Sequence, residues 1–575
     1  MISVIIIWIY ILITTIAAGA LMIRLAGLVG IVKRDFVPQD LMTLMLAGLV
    51  FVTVYAQIWS LFGGVGLATN VVLCVICIFG CRVLTRMLRG YFNRGLIVSG
   101  IIAVIVFMIM AYGTSHGYMH YDTGLYHAQA IHWIEEYGVI PGLANLHVRL
   151  GYNSSAFPLN ALYSFAFISG RSYHVTAGFC ALLLVWECVT HPIKIHNLPS
   201  VFARAAGIYY LFMIFDEMVS PASDYYMVTL GFILIIRWVD AMSSSDMTDR
   251  FCLLSMLACF ILTIKLSGAL FILLAMIPAY LIIRSGENKN TAIRIITCVV
   301  TGAVIVLPYL IRNVIISGWL LYPSTAFTFL HPDWQVPQGL AQYDFKEIQV
   351  YGRGYTDVGM YDVPIGQWIS HWFGTLSGTD KALMAVAVVG TGVFVVQLSL
   401  SIFAAVKSNK DAKDVKKEDG PQQKDAIYYA TTIVVILCFI FWLTTSPLMR
   451  YGCLYVYLVC ALTWGGVLKN MICSHRLSGR AQNMVTIMIV TGLCLLGIYK
   501  TAMWGIETVR LYRHDTWIQQ QDYESFEVKE YAIDGVTIYT PTEGDRAGYY
   551  AFPSSPVEQD IHLRGADITG GFTSN

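Results

Sequence analysis

Long apolar runs recur along this chain, and short polar stretches separate most of them. The runs fall near 2–23, 40–62, 66–81, 95–112, 173–190, 204–218, 224–240, 251–264, 267–283, 292–311, 382–406, 427–445, 452–468 and 483–503. Most approach the roughly 20 residues a helix needs to cross about 30 Å of hydrocarbon. The pattern predicts an all-α polytopic membrane protein with about fourteen transmembrane helices. The first run lacks a basic leader and a small-residue cleavage site, so it reads as a retained span.

Basic residues favour the inner side of a membrane, which gives the runs a direction. Arg24, Lys33 and Arg34 follow the first run, and Arg82, Arg86, Arg89 and Arg94 separate the third from the fourth. Lys194 and Arg204, the turn from Asp246 to Arg250, and the stretches 284–294, 407–424 and 469–480 fall on the same side when crossings alternate. Four segments then lie outside: 113–172, 217–224, 312–381 and 504–575. The linker 407–424 is a mixed-charge, Pro- and Gln-containing stretch with no function assigned.

The outer segment 113–172 breaks the apolar pattern. Leu125, Ala128, Ile131 and Ile134 recur three apart, which predicts a helix over 123–137 ended by Gly138 and Pro141. Residues 156–168 are apolar but short for a span, and a helix lying in the membrane interface preserves the sidedness. Segment 312–381 is rich in Tyr, Trp, Pro and Gly and is long enough for a lid or an ordered loop. In the tail, Val536–Thr540 alternates like a strand, and the turn residues Gly544, Asp545 and Gly548 follow, so a small β-containing appendix is expected outside the membrane.

Composition agrees with the pattern. The 575 residues are 57% hydrophobic and 13% charged, where a soluble domain carries about 25% charge. The net charge of +1 gives nucleic acid no purchase. The 13 cysteines lie mainly inside apolar runs and act there as small hydrophobes, with no zinc or disulfide spacing.

The candidate chemistry gathers on the outer side. Asp122 stands where a helix N-cap belongs. It is equally a candidate general base, because partial burial raises a carboxyl toward the working range. Helical spacing places Asp122, Tyr126 and Gln129 on one face. Five histidines (His116, His120, His127, His132, His147) lie nearby without any metal-ligand spacing, and His127 is the one adjacent to Asp122 and Tyr126. Asp224 opens a span and is either its N-cap or a second polar group of a site. Lys265 sits between two short apolar runs, where an ionisable side chain is either functional or snorkelling. Arg312, with Asn313, and Arg450 mark outer span ends, against the usual inner preference of basic residues. An anionic partner such as a phosphate explains them, as do counter-ions at Asp216, Glu217 or Asp224.

Asp122-x3-Tyr126, then Glu136-x-Gly138-x2-Pro141-Gly142-Leu143 and an apolar helix, resembles the first outer loop of the GT-C glycosyltransferases. These include protein O-mannosyltransferases and the lipid A aminoarabinose transferase. Asp224, Lys265 and the stretch Pro308-x3-Arg312-Asn313-x3-Ser317-Gly318-x3-Tyr322-Pro323 are similar to later landmarks, and an uncharacterised bacterial branch of membrane proteins is the nearest in pattern. The resemblance covers roughly 95–330. It implies a GT-C-like catalytic module over 95–330, preceded by extra helices over 1–94. Beyond it lie an outer loop over 331–381, further spans over 382–503 and an extracytoplasmic region over 504–575.

By the same resemblance, the protein is a multi-pass enzyme of the bacterial inner membrane. It takes a sugar from a polyprenyl-phosphate carrier and passes it, with inversion, to a glycan, lipid or protein acceptor hydroxyl, amid membrane lipids and without nucleic acid. Asp122 would be the base; Lys265, Arg312 and Arg450 would bear the leaving phosphate; Tyr126, His127, Asp224 and Asn313 would bind substrate. Relatives often carry two acidic residues where this chain has Tyr121-Asp122-Thr123-Gly124, so neither a metal nor another cofactor is expected. Two other classes compete. A lipid-linked oligosaccharide transporter or flippase would carry ionisable groups at mid-span and inverted repeats. An O-antigen polymerase or ligase would carry an arginine-rich outer loop, whereas 312–381 holds only Arg312 and Arg353.

Overall fold

The structure is a computed structural model that describes residues 1–574 except 39, 88–95, 191–196, 286–290, 328–329, 412–419, 474–478 and 512–514. The middle of the 407–424 linker and the basic residues Arg89, Arg94 and Lys194 therefore lie outside the described residues. Eleven helices among those described are long and apolar enough to cross a membrane, and the protein is a multi-pass, all-α membrane protein. The other three predicted runs are also helices, Leu96–Ser115, Thr176–Val189 and Ser223–Ala241.

Ser223–Ala241 lies at the centre. Nearly all of its side chains are buried, and it packs against Thr176–Val189, Leu198–Ile214, Met247–Ile264 and Met449–Cys473. Toward its C-terminal end the Trp238 ring stacks on Phe251 at 4.3 Å between centroids. Its two ends are charged, and a charge leaving water must be paired. Near one end Arg237 joins Glu187 at 2.6 Å and Asp40 at 2.8 Å, and Arg204 reaches Asp240 at 2.6 Å. At the other end lies Asp224.

Ile2–Leu28 and Leu41–Ser60 approach closely because small residues face each other. A Cβ on Gly48 would fall onto the Thr15 carbonyl, and one on Gly19 onto that of Leu44. The short apolar stretch forms a helix over Ala156–Tyr163 and then one turn over Ala166–Ser169, where Ile168 is exposed; the first part is enclosed by the protein. All eight of its side chains are buried. Asn160 donates to Tyr226 Oη at 2.6 Å and accepts from Thr176 at 2.7 Å, which anchors the helix against the central one.

The tail folds as the alternation predicts. β1 (Val528–Ile533) pairs antiparallel with β2 (Val536–Pro541), and Gly544 and Gly548 take positive φ in the turn region that follows. This unit is pressed onto helix Ala128–Glu136. His132 is sandwiched between Tyr549 and Phe552, 4.2 and 3.9 Å from their ring centroids. Gln129 Nε2 donates to the carbonyls of Gly548 and Ala551 at 2.7 and 2.9 Å. Glu135 is partly buried and accepts from Tyr549 Oη at 2.5 Å and Ser172 Oγ at 2.7 Å. Burial pushes its pKa up to about 7 against the pull of those hydroxyls.

Two outcomes follow from this packing. Gly48→Val should cost about 1–3 kcal/mol or more by forcing the first two helices apart, read as a lower melting temperature in detergent. Gly392→Ala, where a Cβ meets nothing, should leave melting unchanged. The second outcome concerns docking of the tail. Docked Glu135 keeps its proton to about pH 7, whereas an exposed glutamate loses it near 4.3. The docked state thus binds more protons, and its stability falls as pH rises across that window. His132, held neutral by burial with a pKa near 4, opposes this by weakening docking on the acid side. Comparison with Glu135→Gln isolates the carboxyl. The ratio of parent to variant tail cleavage in limited proteolysis should rise at least about tenfold from pH 5 to pH 8. A flat ratio would show that Glu135 does not titrate on docking.

Candidate active site

The chain leaves helix Leu96–Ser115 and enters a helix that opens with a π-turn, Thr123–His127, before the regular Ala128–Glu136. Wide π-turns inside helices are frequent at functional sites, because the extra residue redirects the side chains on either side. Here it separates the expected face. Tyr126 turns into the protein against Tyr152, its ring perpendicular at 5.7 Å. Gln129 turns to the tail, as described above. Asp122 points to neither.

Nor does Asp122 cap the helix: its backbone is already helical and its carboxylate accepts no cap bond. It meets Arg450 instead, with Arg450 Nη2 at 2.9 Å from Oδ2. Arg450 Nε also lies 3.3 Å from Asp224 Oδ2, and Lys265 Nζ pairs with Asp224 Oδ1. The Lys265 ammonium sits 3.9 Å over the Tyr451 ring, and Arg450 Nη2 donates to Tyr451 Oη at 3.2 Å. His120 packs on the Arg450 guanidinium with its Nδ1 3.6 Å from Asp122. Four charged residues far apart in the chain therefore form one line: Asp122, Arg450, Asp224, Lys265.

Each member arrives for a local reason. Lys265 is extended, with φ −154° and ψ 131°, between helix Met247–Ile264 and a 3-10 helix, Leu266–Ala275. That break turns its ammonium toward Asp224. Asp224 lies in the first turn of the central helix, where a carboxylate suits the helix dipole. Thr123 Oγ1 and Ser220 Oγ meet at 2.7 Å and hold the π-turn against the turn that precedes that helix. Gly452 is forced by the Trp442 indole, which leaves no room for a Cβ two residues after Arg450.

The electrostatics reverse one expectation. Burial raises the Asp122 pKa, but Arg450 leads a set of neighbours that outweighs it, and the carboxyl sits below the usual carboxylate range. In this state Asp122 is an ionised, weak base. His127 is neutral, its pKa driven down to about 3 by burial, with Nδ1 3.4 Å from Thr123 Oγ1. Burial and then Arg450 lower His120 as well.

Of the residues singled out by sequence, Asp122, Asp224, Lys265 and Arg450 come together, with Tyr126 and His127 packed behind Asp122. Arg312 and Asn313 do not join them. Arg312 is buried, donates to Asn153 Oδ1 at 2.9 Å and to Ser60 Oγ, and forms no ion pair among the described residues. Asn313 accepts from Asn153 at 2.9 Å. This pair ties helix Thr291–Ser317 to the 152–155 turn, so the phosphate role expected of Arg312 has no geometric support.

Sequence reasoning passed over His120 in favour of His127, and passed over Tyr451, although both adjoin residues it selected. It also missed Asp344, which accepts from Tyr152 Oη at 2.6 Å and whose pKa burial lifts to about 6. The helix that carries it, Gln338–Gly352, is also tied to the first loop by Arg149 and Glu347 at 3.3 Å. Among the described residues no three His, Cys, Asp or Glu side chains gather as a metal site.

The line of charges falls wholly within residues 1–457, the part of the chain that matches a family known so far as a domain of unknown function, DUF8201. No curated protein matches the chain. With nearly four-fifths of its length matched, from Met1 through Arg450 and Tyr451, the chain belongs to the DUF8201 family.

Proposed function

We propose that this protein is a GT-C-like membrane glycosyltransferase that moves a sugar from a polyprenyl-phosphate carrier to an acceptor hydroxyl on the outer face. The observation that carries the reading is the line Asp122–Arg450–Asp224–Lys265, held beside partly exposed side chains at one end of the helical body. It pairs a candidate base with two cations suited to a phosphate. Fourteen crossings, with the three shorter or less apolar helices also spanning, keep the basic clusters inside and this line outside.

The resting line is balanced: two carboxylates face two cations. A lipid phosphate entering it competes with Asp122 for Arg450. As the guanidinium turns to the phosphate, the pull that lowers the Asp122 pKa is lost and burial remains, so the carboxylate becomes a stronger base. Asp122 then takes the proton from the acceptor hydroxyl. The acceptor oxygen bonds to the anomeric carbon, the bond from that carbon to the phosphate oxygen breaks, and the configuration inverts. Lys265 and Arg450 bear the charge on the departing polyprenyl phosphate. Asp224 fixes both cations and stays ionised.

Asp122→Asn should lower transfer from a polyprenyl-phosphate sugar about 10²–10⁴-fold, with melting in detergent close to the parent. Lys265→Met should lower it about 10²–10³-fold. Transfer by Asp122→Asn at the parent rate would remove the base assignment. Passage of the lipid-linked sugar across sealed vesicles, without any transfer, would indicate a carrier instead.

A further inference from the structure

Part of the tail that lies beyond the family match sits directly on the residues flanking Asp122. Ala547 N and Gly548 N donate to Gly124 O at 3.2 and 2.9 Å. The contact is close enough that a Cβ on Gly124 would meet the Phe526 ring at 2.8 Å. On the other side of Asp122, Tyr121 Oη donates to Asp545 Oδ1. The Arg546 guanidinium lies over both the Tyr121 and the Phe526 rings, 4.6 Å from each centroid, and pairs with Glu524 at 3.5 Å. Despite these contacts Tyr121 keeps 43% of its surface exposed, and the Asp122 side chain keeps 19%. An aromatic ring, a carboxylate and a stacked guanidinium thus gather at the residues on either side of the candidate base.

We propose that Tyr121, Asp545 and Arg546 form an acceptor subsite that binds a neutral carbohydrate. The C–H face of a sugar ring is weakly positive and lies well on the electron-rich face of an aromatic ring. Its hydroxyls on the rim need an acceptor and a donor, which the Asp545 carboxylate and the Arg546 fork supply. Stacking on Phe526 and Tyr121 holds that fork in place before the ligand arrives, so little order is lost on binding. Asp545, Arg546 and Glu524 together carry one net negative charge, which favours a neutral hydroxyl-rich ligand over a phosphate or a carboxylate. The subsite rests on the glycosyl-transfer reading in one respect: a hydroxyl held there is the one Asp122 deprotonates. It also gives the tail, which lies outside the family match, a share in acceptor choice beside Tyr121, which lies inside it.

The test uses the full chain in lipid nanodiscs and a panel of soluble neutral mono- to tetrasaccharides, with binding read by saturation-transfer NMR. At least one sugar should bind the parent. Tyr121→Ala and Asp545→Asn should each weaken it about tenfold, Tyr121→Phe should stay within about threefold because the ring remains, and Lys529→Ala, distant on β1, should change nothing. Failure of every sugar to bind, or equal binding by parent, Tyr121→Ala and Asp545→Asn, overturns the subsite. Melting curves and Tyr121→Phe guard against loss of fold as the cause. The two readings separate cleanly. Sugar binding that depends on Tyr121, with no turnover of polyprenyl-phosphate sugar by the parent, leaves the subsite and removes the transferase. Turnover with an unchanged acceptor KM in Tyr121→Ala removes the subsite alone.

Discussion

Arg450 is the group on which the architecture of this end of the protein turns. Its guanidinium touches carboxylates from two otherwise separate pieces, Asp122 on the first loop and Asp224 on the central helix, while its own helix packs between others. At the edge of a membrane an unpaired carboxylate is costly, and so is an unpaired guanidinium. Removing the arginine would leave two carboxylates with Lys265 as their one remaining cation in the line. The pairing therefore fixes where the π-turn, the start of the central helix and the break at Lys265 must lie relative to one another. Planar geometry matters here: a lysine could not span two carboxylates and Tyr451 Oη from a single position.

A second constraint comes from the tail. Helix Ala128–Glu136 follows the π-turn directly, and it is held from the far side by Tyr549, Phe552 and the carbonyls of Gly548 and Ala551. The loop carrying Asp122 is thus fixed by an ion pair on one side and by a docked β-unit on the other. A carboxyl such as Glu135, whose pKa is lifted to about 7 inside that contact, makes the contact itself responsive to pH.

Much of this was legible in the chain. Apolar runs located the helices because span length is set by the bilayer, and the strand at 536–541 announced itself by alternation. Asp122, Asp224, Lys265 and Arg450 were legible because charge is expensive at a membrane boundary and so stands out there. Three things were not. The π-turn leaves no signature in spacing, so Gln129 was placed on the face of Asp122 when an extra residue in the turn sends it to the tail. Arg312 met the same criterion as Arg450, yet its partners, Asn153 and Ser60, are neutral and distant in sequence. Burial among neutral groups and burial beside carboxylates look alike in a linear pattern. The contact of Asp545 and Arg546 with Tyr121 depends on how the tail docks, which no local pattern encodes.

The arrangement also bears on why a candidate base should be ion-paired at all. A carboxylate left alone in a partly buried cleft would rise in pKa and hold a proton, since burial penalises its charge. Arg450 prevents that, and so keeps Asp122 ionised. An ionised carboxylate under a guanidinium is a poor base, but it needs no deprotonation step before it can act. It needs only the guanidinium to move. On the proposed reading the donor phosphate supplies that move, because it offers Arg450 a competing anion in the same line. The base then becomes effective only once the leaving group is in place, which limits proton abstraction from water or acceptor in the absence of donor. On that reading a balanced set of four charges is what times the base to the donor. It follows from the number of carboxylates, two, equalling the number of cations available to them.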